Sequence, residues 1–163
     1  VGAGVGLPGL ALKIARPDIS LFLIEATGKK TEFLSRTIST LGLDEVDVLC
    51  IRAEDASRDP ALRESFDIAV IRALARLAVV LEYGLPLVRI GGRLIAYKAE
   101  RVEEELVGGE KAAISLGGRI EEVQDTVVPF LNAKRCLVLA KKEQRTEERF
   151  PRRTGVPGKR PLG

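Results

Sequence analysis

The sequence predicts an α/β fold: a mostly parallel, twisted sheet with helices on both faces that closes on a final antiparallel strand. Three observations predict it. Short apolar runs alternate with stretches of helical period, the pattern of a sheet covered by helices. A glycine-rich turn precedes the first helical stretch. The last two apolar runs follow one another with no room for the crossover helix a parallel pair needs, so they should pair antiparallel.

The elements follow in order. Residues 10–15 read as a helix after the glycine turn, stopped by Pro17, and 19–25 as a buried strand. The next helix covers 29–41; Phe33, Leu34, Ile38 and Leu41 fall on one face and Gly42 supplies the C-terminal stop. Residues 46–51 form a strand, a stretch rich in Arg, Asp and Glu follows, and 66–71 form the next strand. A helix over 77–87 leads to a turn at Gly91-Gly92 and a strand over 93–98. The charged helix 102–116 should be weakened at Gly108-Gly109. Gly117-Gly118 turns the chain into strands 120–128 and 134–141. No internal repeat is present.

At 163 residues, with 45% of them hydrophobic, the chain fits one globular domain. It starts at Val1 and has no Met, so the reading is a fragment whose first strand and N-terminal region lie upstream. No apolar run is long enough to span a bilayer and no secretory signal stands at the start, so a soluble, cytoplasmic protein is expected, and the expected state is a monomer. Cys50 and Cys136 lie in apolar runs and read as core residues; with no His in the chain, no metal site is expected and His-based nucleophilic catalysis is excluded. Charge divides the chain. Residues 141–163 hold eight Lys or Arg against three Glu, a net of +5, which leaves −2 for residues 1–140. A domain over 1–142 with a basic Pro/Arg-rich tail over 143–163 suits a polyanionic partner, nucleic acid being the commonest, or else a tail that only aids solubility.

The glycine turn admits two registers. Gly4, Gly6 and Gly9 match G-x-G-x-x-G with Glu25 about twenty residues on, the dinucleotide fingerprint, although Pro8 would then remove an N–H that a pyrophosphate uses. Gly2, Gly4 and Gly6 instead suit the amino-acid part of a nucleoside ligand without phosphate, with Pro8 opening the helix. In either register Glu25 can accept from both ribose hydroxyls. Arg52-Ala53-Glu54 and Ile71-Arg72-Ala73 stand at the ends of the next two strands, where open α/β sheets bind ligands, and a carboxylate at 54 can accept from an adenine amino group. The closing antiparallel strand is the ending of Rossmann-like class I methyltransferases, a fold analogy that favours the second register.

The chain resembles the RsmG family, also called glucose-inhibited division protein B (GidB), of 16S ribosomal RNA 7-methylguanosine methyltransferases. The resemblance lies in residues 1–9, in Ile24-Glu25-Ala26-Thr27-Gly28-Lys29-Lys30 with Phe33-Leu34, in Arg52-Ala53-Glu54 and Arg72-Ala73-Leu74-Ala75, and in residues 91–98, 103–106 and 116–118. Its most specific part is the ending, residues 151–161, rich in Pro and Arg. It implies S-adenosyl-L-methionine as cofactor, with contacts carried over to Gly2, Leu7, Glu25, Ala26, Thr27, Ala53, Glu54 and Arg72. Gly4 and Gly6 join them from the loop.

The implied reaction is methyl transfer to N7 of a guanine in 16S ribosomal RNA, alone or in the small-subunit particle. Guanine N7 has a free lone pair, so no general base is needed and catalysis can rest on positioning. Arg72 and Lys98 are candidates to orient the base or a phosphate, alternatives being a cofactor contact and a solvated strand end. The basic residues Arg149, Arg152, Arg153, Lys159 and Arg160 are expected on the RNA backbone, with Pro151, Pro157 and Pro161 keeping the tail extended. Two rival readings stand beside this one: a non-catalytic ribosome-assembly RNA-binding module and a nicotinamide-dinucleotide oxidoreductase domain.

Overall fold

The computed structural model describes residues 1–99, 102–128 and 133–163. The chain runs α1 (Gly9–Ala15), β1 (Leu21–Glu25), α2 (Gly28–Leu41), β2 (Val46–Cys50) and α3 (Ala53–Ala56), then β3 (Phe66–Arg72), α4 (Leu77–Gly84), a 3₁₀ turn (Leu85–Leu87) and β4 (Val88–Ala99). It ends with α5 (Glu103–Ser115), β5 (Gly118–Val128), β6 (Ala133–Lys142) and a short α6 (Val156–Lys159).

The strands pair as a parallel β1-β2 ribbon and a sheet of order β3-β4-β6-β5, where the expectation was one continuous sheet. β3 and β4 are parallel, and β6 runs antiparallel to both its neighbours, β4 and β5, as the short connection requires. β1 and β3 do not pair with each other. The first three residues lie between them: the Val1 amine donates to the Val70 carbonyl at 2.9 Å and the Ala3 N–H to the Ile24 carbonyl at 3.0 Å.

Alternation along β1 places helices on its two faces. Leu23 packs with Leu10 and Leu34 from α1 and α2, while Ile24 packs with Ala56 of α3 and Leu87. The largest core lies where α4, buried from Leu77 to Glu82, fits between the four-stranded sheet and Ala112, Ala113 and Leu116 at the end of α5.

Several local expectations meet tertiary packing. Gly42 takes φ +60 and closes α2 as predicted, but only Leu34 of the expected apolar face is buried; Phe33 and Leu41 remain about half exposed at 50% and 49%. Gly108-Gly109 does not interrupt α5. A Cβ on Gly109 would lie 2.6 Å from Leu77, so this glycine lets α5 approach α4. Gly91-Gly92 is not a turn before β4 but a bulge within it: Phe66 pairs with Val88, and Ile68 already with Arg93. Cys136 is buried as expected, whereas Cys50 is exposed, because β2 is an edge strand and Cys50 is its last residue.

Residues 143–163 are not an extended tail. Arg63 donates to the carbonyls of Thr146 (2.7 Å) and Phe150 (2.8 Å), and Arg58 to that of Pro151 (2.6 Å). At their root the fully buried Lys142 ammonium donates to the Leu85 carbonyl at 2.9 Å and the Thr146 hydroxyl, and pairs with Glu64 at 3.1 Å. Burial pushes the Lys142 pKa down, opposed by the Glu64 carboxylate. A buried ammonium is tolerated only with such partners, so this cluster ties the C-terminal segment to the domain.

Candidate cofactor cleft

The glycine turn takes left-handed backbone at Gly2 (φ +64), Gly4 (φ +56) and Gly6 (φ +93), conformations costly for side-chain-bearing residues. Gly9 instead begins α1, where a Cβ would lie 2.8 Å from Leu23. The turn uses up much of its own N–H supply: Ala3 donates to Ile24, Gly4 to Glu25, Gly6 to the Ala3 carbonyl, and Pro8 has no N–H. Few donors converge for a pyrophosphate. At Gly4 a Cβ would find nothing nearer than 3.9 Å, because the position opens onto a cleft of about 790 Å³.

Two carboxylates border this cleft. Glu25, at the end of β1 and 7% exposed, accepts from the Gly4 N–H at 2.9 Å and the Thr27 N–H at 3.0 Å. Burial works against its ionisation, but those two N–H groups, the Thr27 hydroxyl and Lys30 outweigh it and hold the pKa below the usual carboxylate range. Glu54, in the short α3 and 4% exposed, accepts from the Gly155 N–H at 2.9 Å, and Tyr83 of α4 lines the same cleft. Burial and the Glu54 charge push the Tyr83 phenol up to about 12.

The third side is the end of β3. Arg72 faces the cleft and is exposed; Ala73, at φ +51, starts a loop through Leu74 and Ala75. Lys98 holds this loop from β4. Its ammonium donates to the Ala75 carbonyl at 2.9 Å and pairs at 2.8 Å with Glu105, whose carboxylate also accepts the first N–H of α4 at Leu77.

Gly2, Gly4, Leu7, Glu25, Ala26, Thr27, Ala53, Glu54 and Arg72 all border the cleft. Gly6 stands behind it, where a Cβ would run into Leu10 at 2.4 Å and Leu34 at 3.0 Å. Lys98 lies behind the Ala75 loop. Of the basic C-terminal residues, Arg153, Lys159 and Arg160 are exposed, and Arg149 pairs with Glu147 at 2.9 Å over the Phe150 ring. Arg152 is turned inward onto Glu82. Sequence reasoning missed Lys30, Arg52 as a lining residue, Val79, Tyr83, Thr154, Gly155 and Gly158. Lys30 and Arg52 sit within a few residues of the two acids and were within reach of a motif argument; the others arrive from α4 and the far end of the chain.

The residues fit S-adenosylmethionine. Apolar Ile24, Ile51 and Val79 alternate with two acceptors spaced along the strand ends, for a ribose diol and a base amino group, and Gly4 leaves room for a close backbone approach. Among the described residues no helix is long and apolar enough to cross a membrane, and no group of three or more His, Cys, Asp or Glu could hold a metal ion.

Fold and cleft define a Rossmann-like class I methyltransferase that uses S-adenosylmethionine. The fold is similar to that of an rRNA methylase from Streptococcus thermophilus (TM-score 0.60, 16% identity, 87% of this chain and 83% of the other). It is also similar to TYW2 of M. jannaschii, solved in complex with AdoMet (TM-score 0.62, 16% identity, 85% of this chain and 64% of the other). The chain belongs to the GidB family, described as rRNA small subunit methyltransferase G, which it matches over residues 1–138. It is 45% identical over 162 residues to ribosomal RNA small subunit methyltransferase G of Pelotomaculum thermopropionicum, covering 99% of this chain and 68% of that relative.

Proposed function

We propose that this protein transfers a methyl group from S-adenosyl-L-methionine to N7 of a guanine in the 16S RNA of the small ribosomal subunit, in the cytoplasm and as a monomer. The observation that carries the reading is the pair of buried carboxylates, Glu25 and Glu54, on one cleft whose third side presents the exposed Arg72. Family membership supports ribosomal RNA as the substrate class. Bound S-adenosylmethionine supplies an electrophilic methyl group.

The chain's residues then have to bind, orient and exclude water. Glu25 and Glu54 hold the nucleoside part. Arg72 orients the incoming base from the β3 end, where a charge-assisted bond to O6 or a phosphate keeps the cation away from N7 and the positive charge developing there. Lys98 acts one step back by holding the loop 73–75 through the Ala75 carbonyl. No residue has to remove a proton from N7, in keeping with a chain that has no His. Arg153, Lys159 and Arg160 meet the RNA backbone, a reading supported by their exposure and charge.

The test incubates full-length protein with methyl-labelled S-adenosylmethionine and undermethylated small subunits or their RNA, and maps label by the strand scission that N7-methylguanine permits. Label at one guanine N7 is expected. Label on another atom would overturn the N7 assignment, and tight RNA binding with no label anywhere would favour a non-catalytic assembly module. Binding of NAD instead of S-adenosylhomocysteine would favour the oxidoreductase reading.

A further inference from the structure

The C-terminal segment supplies a wall of the cleft, and its seat is built from two consecutive pairs of residues. On α3, Glu54 accepts the Gly155 N–H at 2.9 Å and Asp55 lies 3.0 Å from the Thr154 hydroxyl. On α4, Tyr83 lines the cleft with its hydroxyl 4.0 Å from where a Cβ on Gly158 would stand, and Glu82 takes the Arg152 N–H at 2.8 Å and its guanidinium at 2.9 Å and 2.6 Å. Glu82 is completely buried and its carboxylate is met by one fork-shaped donor, so the ion pair is directional as well as strong. Thr154, Gly155 and Gly158 line the cleft, while Arg153, Lys159 and Arg160 face solvent.

We propose that residues 152–158 are a strap belonging to the cofactor site, latched over the cleft by Glu54 and Asp55, and that Glu82 is the positioning residue that sets the strap through Arg152. The inference rests on the cleft being the S-adenosylmethionine site. Glu54 is the joint between the two functions: the carboxylate that faces the ligand also holds the strap. A ligand in the cleft therefore stabilises the seated strap, and by linkage whatever seats the strap strengthens ligand binding by the same factor. RNA held on the strap's outer cations is one such influence, which makes cofactor and RNA binding mutually reinforcing.

Hydrogen exchange on the full-length protein, with and without saturating S-adenosylhomocysteine, tests this. Exchange across 152–158 is expected to slow by about tenfold or more on ligand binding, while β5, at the far edge of the sheet, is unchanged. Glu82→Gln, which keeps the shape of the side chain and removes its charge, should weaken S-adenosylhomocysteine binding by about fivefold or more and reduce the ligand-dependent slowing, although residue 82 lies outside the cleft. Thr154→Val, on an exposed residue that leaves folding intact, should do the same to a smaller degree. Calorimetric binding with no change of exchange at 152–158 would overturn the strap and leave the cofactor reading standing. Absence of S-adenosylhomocysteine binding would overturn both.

Discussion

Glu25 and Glu54 hold two walls of one cleft, yet the walls differ in origin. Glu25 gathers a wall from its own neighbourhood, bonding Gly4 and Thr27 around β1 and the turn that leads into α1. Glu54 gathers its wall from the far end of the chain, Gly155 being 101 residues away. The first wall forms whenever β1 and α1 form. The second depends on the C-terminal segment being anchored all along its course, by Lys142, Arg63, Arg58 and Glu82.

The most severe way to break that contrast is at the root of the far wall. Lys142→Ala leaves Glu64 without its buried partner and should cost about 3–5 kcal/mol of stability in urea denaturation. Loss of less than about 1 kcal/mol would show that the root is dispensable.

A direct comparison of the two carboxylates comes next. Glu25→Ala and Glu54→Ala should each weaken S-adenosylhomocysteine binding by about 1–3 kcal/mol, by calorimetry. They should differ in what else moves: Glu25→Ala loosens the glycine turn, and Glu54→Ala raises exchange at 152–158. Unchanged affinity in Glu54→Ala would show that the adenine is misplaced.

Acid provides a milder version of the same experiment. Glu25 and Glu64 have folded pKa values below their ordinary ones, so the stability they contribute is fully present above the unfolded value of about 4.3 and is lost as pH falls through the lower folded value. Stability should therefore hold from neutral pH to about 5 and fall steeply below about 4, in denaturant melts across pH. A decline that begins at pH 6 would point to other groups. The smallest effect concerns the strap's outer side. Arg153→Ala or Lys159→Ala should each lower the slope of log RNA affinity against log salt by about 0.7–0.9 with little change in stability. An unchanged slope would remove that residue from the RNA contacts.

The sequence made legible whatever depends on near neighbours. The αL stop at Gly42, the left-handed glycines of the turn, the acids at strand ends and the antiparallel β6 all follow from local patterns and connection lengths. Glycine pairs were misleading because their role was decided by contacts outside the element: Gly109 yields to Leu77, and Gly92 to the Asp67 carbonyl, 2.5 Å from where a Cβ would lie. The inward pairing of Arg152 with the buried Glu82 was hidden for the same reason. A run of basic residues does not reveal that one of them has a carboxylate waiting 70 residues upstream. Nor does composition show that residues 1–3 stand between two sheets.

Tyr83 has one more consequence. These 163 residues contain no Trp and only two Tyr, so the near-ultraviolet signal of this stretch is almost entirely phenolic, and one of the two phenols sits on the cleft. This stretch of chain thus carries its own optical gauge of the site, in which filling the cleft or lifting the strap changes the surroundings of a chromophore already in place.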